Sequence, residues 1–432
     1  MSTLTTILAA AVGLTASILA PDPAEGSDDG LIAQLAQQIR DNYVFPKLGQ
    51  ATADHLLGLS RDGAFEGLTD EQLSSRLDEE LREFTHDLHF GVRLLPSDWE
   101  PYEEEHEEEP MLPEQLAEIR LINAPNGFTH VQRLDGNIGY LKMTGFHQYD
   151  MAREDADAAM QLLAGSSALI VDLRKNGGGD PATVQHVSSY LFDPDEPVQL
   201  NSLYYRPTDE TTEYWTHSEI NTQYAMPEVP VYVLTSSFTF SAAEEFSYNL
   251  QSLKRATIIG ETTGGGAHPI SRVVVDNRLS VSIPVGRAIN PITQTNWEGT
   301  GVHPDIEVPA NQALDTAIET ILTKLVEQGD ENARWGLISL QSQNNPIMLP
   351  ATKLAEYAGQ YTDRELMVDG DTLKYRRKGR PSWSPLIAID EDQFVIDGYD
   401  GFLMTFERDT DGNITRLVGS YQQRHSDSSD RE

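Results

Sequence analysis

Three serines, Ser236, Ser237 and Ser241, stand in the stretch SSFTFSAAEEF between an apolar run and a helical pattern. A serine hydroxyl at a helix start faces unpaired amides and the positive end of the helix dipole. It could act there as a nucleophile, with neighbouring amides stabilising an oxyanion. The same residues also read as an ordinary helix start, because Ser241-Ala-Ala-Glu244 fits a capping box. A second chemical signal is VDLRKNGGGDPATV, where Gly177, Gly178 and Gly179 follow a buried strand and precede a helix. Three glycines let backbone N–H groups approach a ligand without interference from Cβ atoms. The loop could form half of an oxyanion hole, a phosphate loop or a plain tight turn. It is not a Walker motif, since no Gly-Lys-Ser/Thr follows.

A serine nucleophile needs a base, and the base needs an orienting group. A Ser–Lys dyad is a poor fit: GETTGGGAHP contains no lysine, and Lys254 lies well into the helical pattern. His89, His268 and His303 sit beside glycine-rich or strand-end segments. His86 and His89 have the spacing of a weak metal pair without matching ligands. The residues alone leave these histidines open between a catalytic base and satisfied polar side chains.

The elements that must position these groups fall into distinct stretches. Residues 30 to 90 read as helical: Leu31, Ile32, Leu35 and Ile39 recur at helical spacing, and Thr69 to Gln72 forms a capping box before Leu73, Leu77 and Leu81. HDLHFGVRLL then alternates like a strand. Between about residues 128 and 310, buried strands such as ALIVDLR, PVYVLTS and ATIIGE alternate with helical segments, which predicts a mostly parallel, covered sheet. RVVVDNRLSVSIPVG reads as a hairpin around Asp276-Asn277. SLQSQNNPIMLPAT reads as a linker, and residues 355 to 425 as an all-β barrel or sandwich with frequent turns. The expected division is a leader or anchor over 1–26, a helical domain over 27–112, a core over 113–335 and a β domain over 350–426. The fold class is α/β, with an N-terminal helical region and a small all-β C-terminal domain.

Composition bounds the partners. The 432 residues hold 68 Asp and Glu against 31 Lys and Arg, a net charge of −37. Such a field repels nucleic acid and anionic membrane and disfavours acidic substrates at a distance. Adaptation to a saline habitat and a merely acidic protein are the two readings of this charge. Cysteine is absent, which excludes disulfides, thiolate metal sites and a cysteine nucleophile. The acidic run from Trp99 to Pro110 reads as a solvated loop rather than a calcium site, because it lacks spaced Asp/Asn and Gly. The apolar N-terminal stretch has signal-peptide length but neither a basic n-region nor a clean cleavage site. Export to the periplasm or outside the cell, or a membrane tether at that end alone, is the expectation.

LTSSFTFSAAEEFSYNLQSLKRATIIGETTGGGAHP resembles the signature of the C-terminal-processing (tail-specific) serine peptidases, and LIVDLRKNGGGDP their oxyanion strand and loop. The likeness extends over about residues 30 to 330, and the branch it is most similar to is that of bacterial relatives of the interphotoreceptor retinoid-binding protein module. The resemblance implies a ClpP/crotonase-like core and selects Ser241 as nucleophile over Ser236 and Ser237. Members with a Ser–Lys dyad carry lysine where this chain has Gly266, so that dyad does not transfer. Ser–His–Glu members, such as those resembling the tricorn core, imply His89 of Asp87-Leu88-His89 as base and Glu298 of NWEGTGVHPDIEV as orienting acid, in preference to Asp87. Backbone amides of Ala242 and Gly178 would form the oxyanion hole.

The implied activity is that of a serine endopeptidase on peptide or unfolded protein, working through an acyl-enzyme without a metal or cofactor. The gap between Val92 and about Gly127 is too short for a PDZ domain, so tail specificity is not implied. A non-catalytic binder of apolar ligands and a small-molecule esterase or amidase are the alternatives on the same fold.

Overall fold

The computed structural model describes residues 28–95, 126–275, 278–344, 346–422 and 425–432. The N-terminal stretch 1–26, the acidic run 99–110 and the turn at Asp276-Asn277 lie outside those residues. Among the described residues no helix is long and apolar enough to cross a membrane.

Three helices open the chain: α1 (Asp28–Asn42), α2 (Pro46–Arg61) and α3 (Asp70–Thr85). The α3 capping box forms as its sequence requires, with Gln72 N donating to Thr69 Oγ1 at 3.3 Å and Thr69 N donating to Gln72 Oε1 at 3.0 Å. Strand β1 (Gly91–Leu94) follows. It begins at Gly91 rather than at His89, so His89 sits on the connection from α3, where its side chain is not committed to the sheet.

The central sheet is built from β2 (Phe128–Leu134), β3 (Ile138–Met143), β4 (Ala168–Asp172), β7 (Val231–Thr235), β8 (Ala256–Gly260) and β12 (Ile306–Glu307). Its order is β12-β8-β7-β4-β3-β2, parallel except for β2. β4 and β7 are buried along their whole length because helices cover both faces. Leu169, Val171, Val231 and Val233 pack on one side with α4 (Tyr149–Leu163), α5 (Pro181–Ser189) and α6 (Ala242–Ser252). Ala168, Ile170, Tyr232 and Leu234 pack on the other with α7 (Ala313–Glu327). The period of two in each strand divides these residues between the two cores.

Two small antiparallel sheets complete the walls around the site. One, β1-β10-β9, pairs β1 with β10 (Leu279–Pro284) and β9 (Ile270–Val275), and packs Val92, Val281 and Ile283 against α1 to α3. The other, β11-β5-β6, joins β11 (Gly286–Ile289), β5 (Gln199–Tyr205) and β6 (Glu210–Trp215).

The Gln/Asn-rich stretch expected as a linker is largely helical: α8 runs Glu331–Asn344. Packing overrides composition here. Trp335 and Ile338 cover Ile389, Val395 and Leu403, and Gln341 Nε2 donates to Ile389 O at 2.6 Å. After α9 (Ala351–Tyr357), eight consecutive antiparallel strands run from β13 (Gly359–Tyr361) to β20 (His425–Asp430). A bridge between Tyr361 and Arg431 brings the two ends together, giving a near-barrel rather than a two-sheet sandwich.

Candidate active site

Ser241 occupies the turn between β7 and α6. Its backbone angles, φ 55° and ψ −122°, are a conformation that side-chain-bearing residues rarely adopt and that costs about 1–3 kcal/mol. Glu244 helps hold this turn. One carboxylate oxygen accepts from Ser241 N (2.8 Å) and Gly266 N (2.9 Å), the other from Gly265 N (2.7 Å) and the Thr263 hydroxyl. The Glu244 arm of the expected capping box therefore exists, and the same carboxylate also ties the helix start to the glycine loop.

The Ser241 hydroxyl is not consumed by helix capping alone. His89 Nε2 lies 3.1 Å from Ser241 Oγ, across a sequence separation of 152 residues. The imidazole packs on the Phe240 ring, with centroids 4.6 Å apart. Burial holds its pKa down at about 4, so the ring is neutral near pH 7 and able to accept a proton. The other two serines have structural partners. Ser236 Oγ donates to Arg174 O at 2.7 Å and accepts from Phe238 N, while Ser237 is exposed and its amide donates to Glu261.

Behind His89 lies a buried group of acids and a second histidine. Asp87 Oδ1 accepts the His89 backbone N–H at 3.0 Å, so Asp87 fixes the main chain that carries the imidazole. Its Oδ2 meets His268 Nδ1 at 2.7 Å and the Tyr43 hydroxyl at 3.3 Å. Glu298 Oε2 accepts from Ala267 N at 2.6 Å and stands 3.4 Å from His268 Nδ1. His89 Nδ1 and Glu298 Oε1 are both buried without a hydrogen-bond partner among the described residues. The structure therefore brings Ser241 and His89 into hydrogen-bond contact, and places Glu298 in the cluster beside them without a hydrogen bond to the ring. Burial raises the Glu298 carboxyl to about 7, with Asp87 adding repulsion and His268 partly offsetting it.

His268 is the link that sequence reasoning left unassigned. The signal was its place in GGGAHP, but pairing with Asp87 depends on a fold contact that spacing cannot reveal. His303 lies elsewhere, exposed, with Nδ1 3.1 Å from Thr262 Oγ1. His86 ends α3 in the left-handed conformation.

The oxyanion expectation divides. Ala242 is the first residue of α6, where an amide has no intrahelical acceptor. Gly178 does pack against the nucleophile: a Cβ there would fall 2.7 Å from Ser241 Cβ, and its φ of +105° favours glycine. Its N–H, however, donates to Asn176 Oδ1 at 2.9 Å, so Gly178 is not a free oxyanion donor in this conformation. Gly177 and Gly179 line the cleft instead, and neither amide donates to a described group. The cleft holds about 1270 Å³ and is bounded by β1, β9, the glycine loop, α6 and the residues around Trp297.

Residues 137–308 match the model of peptidase family S41, and residues 27–123 that of the N-terminal domain of this family in eukaryotic IRBP. The chain is 29% identical over 213 residues to a tricorn protease of Thermoplasma volcanium, covering 46% of this chain and 18% of that protein. It is 29% identical over 181 residues to the chloroplastic carboxyl-terminal-processing peptidase 2 of Arabidopsis thaliana, covering 41% of this chain and 33% of that protein. The chain thus spans a third or less of each of these two relatives. A solved structure described as a peptidase from Parabacteroides merdae aligns with 20% identity over 69% of this chain and 98% of its own, at a TM-score of 0.48.

Proposed function

Because the chain belongs to peptidase family S41, we propose that it is a serine endopeptidase working through Ser241, His89 and Glu298. The observation that carries this reading is the 3.1 Å contact between His89 Nε2 and Ser241 Oγ at a strained strand-to-helix turn. His89 takes the hydroxyl proton as Ser241 Oγ attacks a peptide carbonyl. The tetrahedral oxyanion is held by the Ala242 amide and by an amide of Gly177 or Gly179. As the C–N bond breaks, His89 gives its proton to the leaving amine and an acyl-enzyme remains. Water, deprotonated by the same imidazole, then releases the acid and regenerates Ser241.

Glu298 orients the ring by accepting from Nδ1 once the imidazolium forms. The two buried groups are complementary, one a donor and one an acceptor, and each lacks another described partner. Closing that contact takes a movement of the Glu298 side chain away from His268. The substrates are peptides or unfolded proteins that can reach the cleft in extended form. Export of the chain, with residues 1–26 as leader or tether, belongs to the same proposal.

Labelling with a fluorophosphonate tests the nucleophile. The wild type should be labelled and should digest a reduced, unfolded protein, and Ser241→Ala should do neither. Labelling of both proteins alike would refute the assignment of Ser241. Inertness of both, with an apolar ligand bound, would favour the binding-protein reading.

A further inference from the structure

The cleft contains a recess next to the nucleophile that buries a carboxyl with no described cation beside it. Its inner wall is one face of the β11-β5-β6 sheet. Asn201, Leu203 and Tyr205 alternate onto that face of β5, Tyr214 stands opposite Asn201 on β6, and Ala288 stands opposite Leu203 on β11. Helix α6 closes the other side with Glu245. Glu245 lies one turn beyond Ser241, its backbone N–H donating to Ser241 O at 2.9 Å.

Glu245 is only 4% exposed, lines the cleft, and its carboxyl has the neutral Asn201 amide beside it and no basic side chain among the described residues. Asn201 behind it is wholly buried and lies within hydrogen-bond reach of that carboxyl, with no other side-chain partner among the described residues. Tyr205 and Tyr214 stand close enough to feel the charge of Glu245. A carboxyl at this depth with only a neutral amide beside it is costly to ionise, which marks a site that a counter-charge would complete.

The charge balance says what completes it. Burial pushes Glu245 up to about 8, and the only charged group adding to that shift is another acid, Asp180. Both Asp180 oxygens are already taken, by Ala182 N at 2.9 Å and Tyr149 N at 2.8 Å. Neither Tyr205 nor Tyr214 feels a cation; both are raised by burial and by nearby acids. The nearby arginines are turned away. Arg287 lies over the ring of Tyr204 on the far face of the sheet, and Arg206 donates to the carbonyls of Tyr43 and Arg40. The recess is therefore rich in acceptors, without a counter-cation, and walled by Leu203, Ala242 and Ala288.

We propose that this recess receives the side chain of the residue on the acyl side of the scissile bond, and that it selects lysine or arginine. The proposal rests on the peptidase reading above. The aliphatic stem packs on the apolar wall while the cation meets Glu245, with the tyrosine hydroxyls and Asn201 completing its hydrogen bonds. On entry, a neutral Glu245 carboxyl releases its proton to solvent and the carboxylate pairs with the incoming cation. The net charge of −37 works in the same direction, by drawing basic segments toward the protein.

The test is a set of peptides with constant flanks and Arg, Lys, Gln, Leu, Ala or Asp at that position. It is run with the full-length wild type, Glu245→Gln and Glu245→Asp, with active enzyme counted by fluorophosphonate labelling. The wild type should favour Arg and Lys over Leu in kcat/KM by about tenfold or more, and the preference should strengthen as pH rises toward 8. Glu245→Gln should bring the ratio close to unity, while Glu245→Asp, which keeps the charge, should retain part of it even if the Gln variant fails to fold. A wild-type preference for Leu, Ala, Gln or Asp, or an unchanged ratio in a labelled Gln variant, overturns the recess assignment and leaves the peptidase standing. Absence of both labelling and cleavage in the wild type overturns the peptidase reading and this inference with it.

Discussion

A Cβ on Gly266 would fall 2.5 Å from His89 Cε1 and 2.2 Å from Phe240 Cζ: the imidazole fills the space that a side chain at position 266 would need. By the resemblance, the lysine of a Ser–Lys dyad would stand at this place in the motif. In this chain the two solutions exclude each other sterically, since a lysine stem at 266 and the His89 ring would compete for one volume.

Gly266→Ala should therefore act as a catalytic lesion. The methyl group displaces His89 or Phe240, and a misplacement of about 1 Å costs on the order of 10²-fold in rate. Overpacking of this kind also costs about 1–3 kcal/mol of stability. Steady-state kinetics and a melting curve on the same preparation read both effects. Wild-type kcat/KM in this variant would show that the imidazole is not held where the structure has it.

Removing Ser241 or His89 should be equally damaging alone and together. If they act as a unit, each alanine variant should lose roughly 10⁶-fold in kcat, and the double variant should be no worse than either single one. Additive losses in the double variant would mean that the hydroxyl and the imidazole contribute independently, against the mechanism above.

Much of this was readable from residue order because local rules and the fold agree. ALIV and VYVL are continuous apolar runs, and both lie in fully buried parallel strands. Thr69 to Gln72 specified a helix start and formed one. The features that escaped depend on contacts between distant segments. Asp87 and His268 are 181 residues apart, and nothing in the spacing of either marks them as partners. Gly178 has the right residue type beside Ser241, but a single hydrogen bond from its amide to Asn176 decides its role, and loop sequence does not fix amide direction. The end of the helix Glu331–Asn344, from Ser339 on, read as linker because Gln, Asn and Ser dominate it. Packing of Trp335 and Ile338 on the β module supplied the stability that composition did not.

Glu244 offers a separate test of how the nucleophile turn is held. Its carboxylate accepts from four donors, and an amide in its place would turn an NH₂ group toward some of them. Leaving buried donors unpaired costs about 1–3 kcal/mol. Glu244→Gln should lose that much stability, melt earlier and lose turnover, because Ser241 and the Gly265-Gly266 segment are freed together. Lower stability with unchanged kcat would assign Glu244 to the fold alone.

The pH profile separates Glu298 from His89. His89, held down at about 4 by burial, is neutral and basic over most of the accessible range. Glu298, raised to about 7, is the group whose ionisation completes the triad, so kcat/KM of the wild type should rise through about pH 7. Glu298→Gln should lose that step, keep only the lower limb near 4, and level off roughly 10²–10⁴-fold below the wild type. Stability should move in the opposite sense. A carboxyl whose folded pKa is raised binds more protons in the native state, so its contribution falls as pH rises from the unfolded value near 4.5 to about 7. The melting temperature of Glu298→Gln should therefore gain on that of the wild type across this window. His89 has the reverse sign, its folded value lying below 6.5, and should add stability between about pH 4 and 6.5 that His89→Gln lacks. An acid limb of kcat/KM that is the same in the wild type and in Glu298→Gln would remove Glu298 from the triad.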